Sequence, residues 1–186
     1  MDHKRERDMR CLITYGSKYG STKHYAKKFA DITGFPVMPY SEVKSGTNQE
    51  LIIHFGALYA GGVLGLKSLV SKISPDTKLV IVTVGLADVQ DAGNIKNIRK
   101  SIRSQLTEEL FDQSQIFHLR GAINYEILNF KHKTMMAMLY AKVKMLPEER
   151  QNAETKALIA TYGKKVSFVD TEELERVLEA VRGAAS

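Results

Sequence analysis

No tryptophan occurs in these 186 residues, and cysteine occurs once. The lone Cys11 excludes a disulfide within the chain and suits a reducing cytosol. No apolar run is long enough to span a bilayer. Residues 1–9 alternate acid and base without the apolar centre of a signal peptide, and are expected to be disordered. Low-complexity tracts, internal repeats and linkers are missing as well, so a single domain is expected over residues 10–182. Several motifs are also missing. The glycine spacing is wrong for a Walker loop, and there is neither a Gly-x-Gly-x-x-Gly fingerprint nor a Gly-x-Ser-x-Gly nucleophile elbow. His24, His54, His118 and His132 are scattered without ligand spacing, so no metal site is expected. Basic residues are not interleaved with aromatics, which argues against nucleic acid as a partner. A phosphorylated receiver domain would need aspartates at the ends of its first and third strands. Thr14-Tyr15 and His54-Phe55 stand there instead.

What is present is ordinary in composition, 44% hydrophobic and 26% charged, with a net charge of +6. That charge is uneven. Between residues 120 and 145, Arg120, Lys131, Lys133, Lys142 and Lys144 face Glu126 alone. Such a patch suits an acidic protein, an anionic ligand or a membrane surface, and equally describes a solvated basic face.

Apolar runs and helical spacings alternate along the chain. Cys11 to Tyr15 reads as a strand, followed by a helix through Thr33 that Gly34 stops. Phe35 to Pro39 reads as an edge strand and Leu51 to Phe55 as a third strand. Leu66, Leu69, Val70 and Ile73 follow at helical spacing. Leu79 to Val84 has the unbroken apolarity of a parallel strand covered on both faces. Ile95 to Leu110 predicts one long helix and Gln115 to Leu119 a fifth strand. Ile123 to Phe130 is undecided by pattern. Residues 131–146 and 149–162 read as helices, and Asp170 with Glu173 as the start of the last one. The expectation is an open, parallel α/β sheet with helices on both faces.

In such a sheet, ligands bind beyond the carboxyl ends of the strands, where the loops converge. Three loops here are rich in glycine and small residues. Ser17-Lys-Tyr-Gly-Ser-Thr22 places hydroxyls and backbone N–H groups at a helix start, an arrangement suited to a phosphate. The same spelling also serves a plain polar turn with a Ser/Thr cap. The loops from Gly56 to Gly62 and Gly85 to Gly93 let backbone approach a flat ligand, with Tyr59 able to stack on it.

Tyr15-Gly-Ser-Lys-Tyr-Gly-Ser-Thr22, Gly56-Ala-Leu-Tyr-Ala-Gly-Gly62 and Val84-Gly-Leu-Ala-Asp88, in this order, resemble the flavodoxin-domain family. The nearest resemblance is to its branch with menaquinone-dependent protoporphyrinogen oxidase. Leu119 to Tyr125, Lys131 to Met136 and Tyr162 to Asp170 agree with it. The resemblance implies a flavodoxin-like five-stranded sheet in the order 2-1-3-4-5 and non-covalent FMN. Ser17, Lys18, Tyr19, Gly20, Ser21 and Thr22 would hold its phosphate. Leu58, Tyr59, Ala60, Gly61, Gly62 and Val84, Gly85, Leu86, Ala87, Asp88 would flank its ring. A backbone carbonyl at or near Gly61 is expected to turn toward the ring on reduction. The implied activity is an electron carrier, or a dehydrogenase passing electrons from protoporphyrinogen or a similar molecule to a quinone.

The first loop has Tyr-Gly-Ser-Thr where the family commonly has Thr-Gly-Asn-Thr, which keeps the hydroxyls. Small flavodoxins are usually acidic and this chain is basic. That favours an acidic redox partner, an anionic substrate such as a porphyrin, or a membrane surface that delivers quinone. The methionine- and lysine-rich stretch 131–146 has two readings. It is a helix packed on the sheet with lysine stems outward, or an apolar face that meets the inner side of a membrane. A cytoplasmic protein, peripheral at most, is expected. The competing reading is a flavin-free interaction domain that kept the fold.

Overall fold

The uncharged, β-branched runs become the sheet. A computed structural model describes residues 9–185, so of the expected disordered segment only Met9 falls within the described residues. The first unit is β1 (Cys11–Gly16), α1 (Ser21–Thr33) and β2 (Val37–Pro39). Next come β3 (Leu51–Tyr59), β4 (Gly62–Val63), α2 (Leu66–Val70) and β5 (Lys78–Gly85). Then follow α3 (Ala92–Arg103), α4 (Glu108–Gln113), β6 (Gln115–Arg120) and β7 (Ala122–Asn124). The chain closes with α5 (Phe130–Val143), α6 (Ala153–Thr161), β8 (Lys165–Ser167) and α7 (Leu174–Ala185).

Five strands pair in parallel in the order β2-β1-β3-β5-β6, which is the expected 2-1-3-4-5 order once the hairpin arm β4 is set aside. Alternate residues serve opposite faces. Ile13, Ile53, Phe55, Val80 and Val82 pack with Phe29 and Ala26 of α1 and Leu174 and Val177 of α7. Leu12, Ile52, Leu79 and Ile81 pack with Leu66 and Leu69 of α2, Ile98 and Ile102 of α3 and Phe111 of α4. Both faces are dry, which is why these strands read as continuous apolar runs.

Several boundaries differ from the sequence-based expectation. The third strand continues through the stretch expected as a loop, because Gly56 and Ala57 keep pairing with β1 and β5. The chain then reverses through Ala60 (φ 51°) and Gly61 (φ 79°), a two-residue hairpin turn. Gly56 permits the return, since a Cβ there would lie 2.2 Å from a Val63 methyl. The expected long helix from Ile95 to Leu110 is two helices. Thr107 accepts from the Leu110 N–H and starts α4 anew. Gly34 ends α1 in the left-handed conformation, as its position suggested.

The undecided stretch after β6 becomes part of a second layer. β7 pairs antiparallel with β8, and Ile123, Tyr125 and Leu128 pack with Met136 and Val143 of α5 and Leu158 of α6. This layer sits where the carboxyl ends of the strands open. No helix among the described residues is long and apolar enough to cross a membrane.

Candidate functional site

At the end of β1 the chain turns tightly through Ser17, Lys18, Tyr19 and Gly20, and the Ser17 hydroxyl oxygen accepts from the Gly20 N–H at 3.2 Å. Gly20 stands at the cap of α1 with φ 99°, a backbone that a side-chain-bearing residue adopts only under strain. It offers no side chain to the helix. By contrast α3, α4, α5 and α6 are capped by Asp91, Thr107, Asn129 and Asn152. The first turn of α1 therefore points N–H groups, unclaimed by a capping side chain, at the strand ends, with the positive end of the helix dipole. Lys18 and Gly20 are exposed, Ser17, Tyr19 and Ser21 half-buried, and Thr22 buried. The Ser21 hydroxyl accepts from the Ala122 N–H at 3.3 Å, so it binds the β6–β7 junction.

The second loop is held against the first by a buried histidine. Leu64 O can only accept, so His54 Nε2–H donates to it at 3.0 Å, and the Thr14 hydroxyl donates to Nδ1 at 2.9 Å. The carbonyl so held lies against Gly16, where a Cβ would stand 2.1 Å away. The hairpin thereby leans over the end of β1. Burial lowers the His54 pKa to about 4, so the ring is neutral. At the hairpin tip the Tyr59 ring lies beneath the Lys18 ammonium, 4.9 Å from nitrogen to centroid. Its hydroxyl donates to Met135 Sδ at 3.7 Å. The Gly61 carbonyl accepts from the Ser101 hydroxyl at 2.6 Å and so points to α3, away from the crevice. Ala60 and Gly61 are exposed, and Gly62 approaches the Gln105 amide.

The third loop is fixed from below. Arg120 Nε and Nη2 both donate to the Leu86 carbonyl, at 3.3 and 2.9 Å. Asn94 Nδ2 donates to the Asp88 carbonyl, and the Asp88 carboxylate accepts from the Gln90 N–H. Val84 and Ala87 are buried, and Gly85 leaves room for the Leu58 side chain. Leu58, Ala87 and Asn94 share a small cavity with His118, whose Nδ1 pairs with Thr83 and whose Nε2 has no partner among the described residues. Burial, and secondarily the Arg99 and Arg176 charges, lower its pKa to about 4.

The three loops thus meet, with Lys18, Tyr19, Tyr59 and Leu86 nearest their convergence. Ser21, Gly61 and Asp88 are hydrogen-bonded to Ala122, Ser101 and Gln90, and Ala60, Gly61 and Gly62 form the hairpin tip. Two contributors escaped the sequence reading. Arg120 shows there only as one charge in a basic stretch, and nothing local says that it clamps Leu86. Helix α5 crosses the crevice: His132 stands edge-on to Tyr19, centroids 5.7 Å apart, beside the Met135–Tyr59 bond. Tyr19 and Tyr125 join the apolar cluster beneath this helix. Burial, then the Tyr162 and Tyr19 phenols, push the Tyr125 pKa up to about 12. Burial, then Tyr59, raises that of Tyr19.

An open parallel sheet in this strand order, with three small-residue loops converging on an uncapped helix start, defines a class. Residues 12–150 match the model of the flavodoxin domain, and the chain belongs to the flavodoxin-domain family. Similar solved structures include a candidate flavoprotein of Bacteroides eggerthii, at 9% identity and a TM-score of 0.41. That likeness covers 59% of this chain and 85% of the other. A second, from Bacteroides uniformis, has 10% identity and a TM-score of 0.43, over 60% of this chain and 88% of that one. No curated protein matches the chain.

The residues present fit the phosphate end of a flavin mononucleotide, on the geometry of Ser17 to Thr22 and the uncapped α1. The ring end is closed by Met135 on the Tyr59 hydroxyl and by the Lys18 side chain on the Tyr59 face. That side chain is exposed, and no carboxylate pairs with it among the described residues.

Proposed function

We propose that this chain binds FMN in the crevice and is a redox protein. The observation that carries the reading is the start of α1. It is a helix N-terminus without a side-chain cap, entered through Gly20 at positive φ, beside the hydroxyl of Ser17. Bound flavin would supply one- and two-electron redox chemistry. The chain's own part is to hold and shield. Backbone N–H groups of the first turn and Ser17 would hold the phosphate. Tyr59 and Leu86 would flank the ring, and Arg120 keeps Leu86 in place. Helix α5 excludes water from above through Met135, Met136 and His132.

The finer reading is a dehydrogenase that passes electrons from protoporphyrinogen or a similar reduced, anionic molecule to a quinone, in the cytoplasm or at the inner face of its membrane. It is supported by the resemblance of the first loop and by the net charge of +6, which draws carboxylate-bearing substrates. An electron carrier serving an acidic protein is the simpler version of the same site. The flavin-free reading has one observation in its favour, the Lys18, Tyr59 and Met135 contacts that close the crevice.

Absorbance of the purified protein after addition of FMN and desalting separates them. A retained flavin spectrum is expected, and Ser17→Asp, placing a negative charge against the phosphate, should lower retention at least tenfold with the circular dichroism spectrum unchanged. A protein that stays colourless supports the interaction-domain reading instead. Anaerobic turnover of protoporphyrinogen with a menaquinone analogue, against a reductase-coupled assay, then distinguishes enzyme from carrier.

A further inference from the structure

Helix α5 is built inside out. A surface helix normally turns charge to the solvent and apolar side chains to the core. Here Met136 and Val143 face inward, yet the solvent side also carries an apolar stripe. Phe130, Thr134, Met138, Ala141 and Met145 follow one another by four, four, three and four residues, which keeps them on one line along the helix and just past its end. Phe130 is 85% exposed, Met138 70% and Met145 79%, and Ile127, 77% exposed, extends the patch beyond the N-terminus. Most of the large apolar side chains that stand exposed among the described residues lie between Ile127 and Met145.

The charges are arranged around that line. Lys131 and Lys142 are eleven residues apart, three helical turns, and so lie on one side of it; Lys133 and Lys144, also eleven apart, lie on the other. All four are exposed. Helix α5 has no acidic residue; Glu126 precedes it, and Glu148 and Glu149 follow. Lys133 donates to the Glu126 carbonyl and Lys144 lies over the Tyr140 ring, so both long stems run along the protein surface.

We propose that this face docks the protein on an anionic lipid surface, with Phe130, Met138, Met145 and Ile127 in the acyl boundary and the four lysines at the headgroup level. Charge complementarity selects the occupant. An apolar line with a cationic row on each side matches a layer that is apolar inside and anionic outside. The flexible lysine stems reach back to phosphates while the line between them sinks deepest. The exposed apolar side chains carry no hydrogen-bonding group that a polar protein surface would need to satisfy. The docking stands on α5 alone. Its consequence rests on the proposed flavin reading: the inner side of the same helix touches Tyr19 and Tyr59, so docking would set the crevice rim at the bilayer surface.

The lack of tryptophan gives a clean reporter. Phe130→Trp in the full chain is titrated with phosphatidylcholine vesicles, with and without 30% phosphatidylglycerol. A blue-shifted emission, quenched by lipids brominated in the acyl chain, is expected with the anionic vesicles, and at least tenfold weaker binding without phosphatidylglycerol. Met138→Asp in the Phe130→Trp background, at an exposed position that leaves the fold intact, should abolish the shift. Lys131→Glu with Lys142→Glu should weaken binding at least tenfold. Vesicle binding without a blue shift would mean charge adsorption alone and overturn the proposal. No binding to either vesicle would overturn it too and leave an acidic protein as the partner. Protein prepared with and without FMN gives the same vesicle titration if the docking is right, so its failure is separable from that of the flavin reading.

Discussion

The sheet and the layer laid over its carboxyl ends solve different problems with similar residues. In the sheet, Ile13, Ile53, Phe55 and Ile81 are wholly buried, and each face is sealed by helices. In the overlying layer, Met136, Val143, Leu128 and Leu158 are each 8–9% exposed, and the outer side of α5 is apolar. The sheet supplies stability and a fixed frame. The layer gives up some burial to keep a cover over the crevice and a face for something outside. Tyr25 joins the two: its hydroxyl donates to the Arg120 carbonyl at the sheet's end and accepts from the Asp170 N–H beyond β8, both at 2.8 Å.

Truncations should separate the regions most strongly. Phe55→Ala is expected to cost about 3–5 kcal/mol in urea unfolding, as for a large side chain removed from a sealed core. Met136→Ala, at the thinner layer, should cost about 2 kcal/mol or less, because the neighbours can settle and water is near. Equal costs would break the comparison.

Acid should act next, and through the sheet. In the unfolded chain the His54 imidazole takes up a proton near pH 6.5, whereas burial holds it to about 4 in the fold. Between those values the unfolded state binds the extra proton. Stability is therefore full above pH 6.5 and falls as the pH drops toward 4, by about 3 kcal/mol for this group. His118 adds in the same direction. Denaturant midpoints measured from pH 7.5 to 4.5 check this, and a flat profile would contradict the neutral, doubly bonded ring.

Tyr25→Phe should cost about 1–2 kcal/mol, since it leaves a carbonyl and an N–H without their partner where the two regions meet. Smallest is Asn152→Ala, which removes the acceptor of the Thr155 N–H at the start of α6. A loss of about 1 kcal/mol is expected, seen in faster amide exchange within Ala153–Thr161 and not in β3 or β5.

The same contrast explains what could be read from the sequence. Strands buried on both faces announce themselves, and Leu79 to Val84 needed no tertiary information. Gly20, Gly34 and the first and third small-residue loops likewise carry local meaning. Three things were not local. The hairpin at Ala60 and Gly61 depends on Gly56 making room for Val63, a contact across the reversal. The break before Thr107 pits one hydroxyl cap against an otherwise continuous apolar spacing. The role of Arg120 depends on a carbonyl 34 residues earlier in the chain. Helix α5 was legible in period but not in orientation, because apolar residues occupy both of its sides.

The most direct test of the central claim, that the α1 N-terminus holds a phosphate at the crevice, is to titrate the protein with FMN and with riboflavin and follow flavin fluorescence. The two ligands share the ring and differ in the phosphate. FMN should bind about tenfold or more tightly than riboflavin, the scale of a charge-assisted contact at a helix start. Equal affinities would contradict the account.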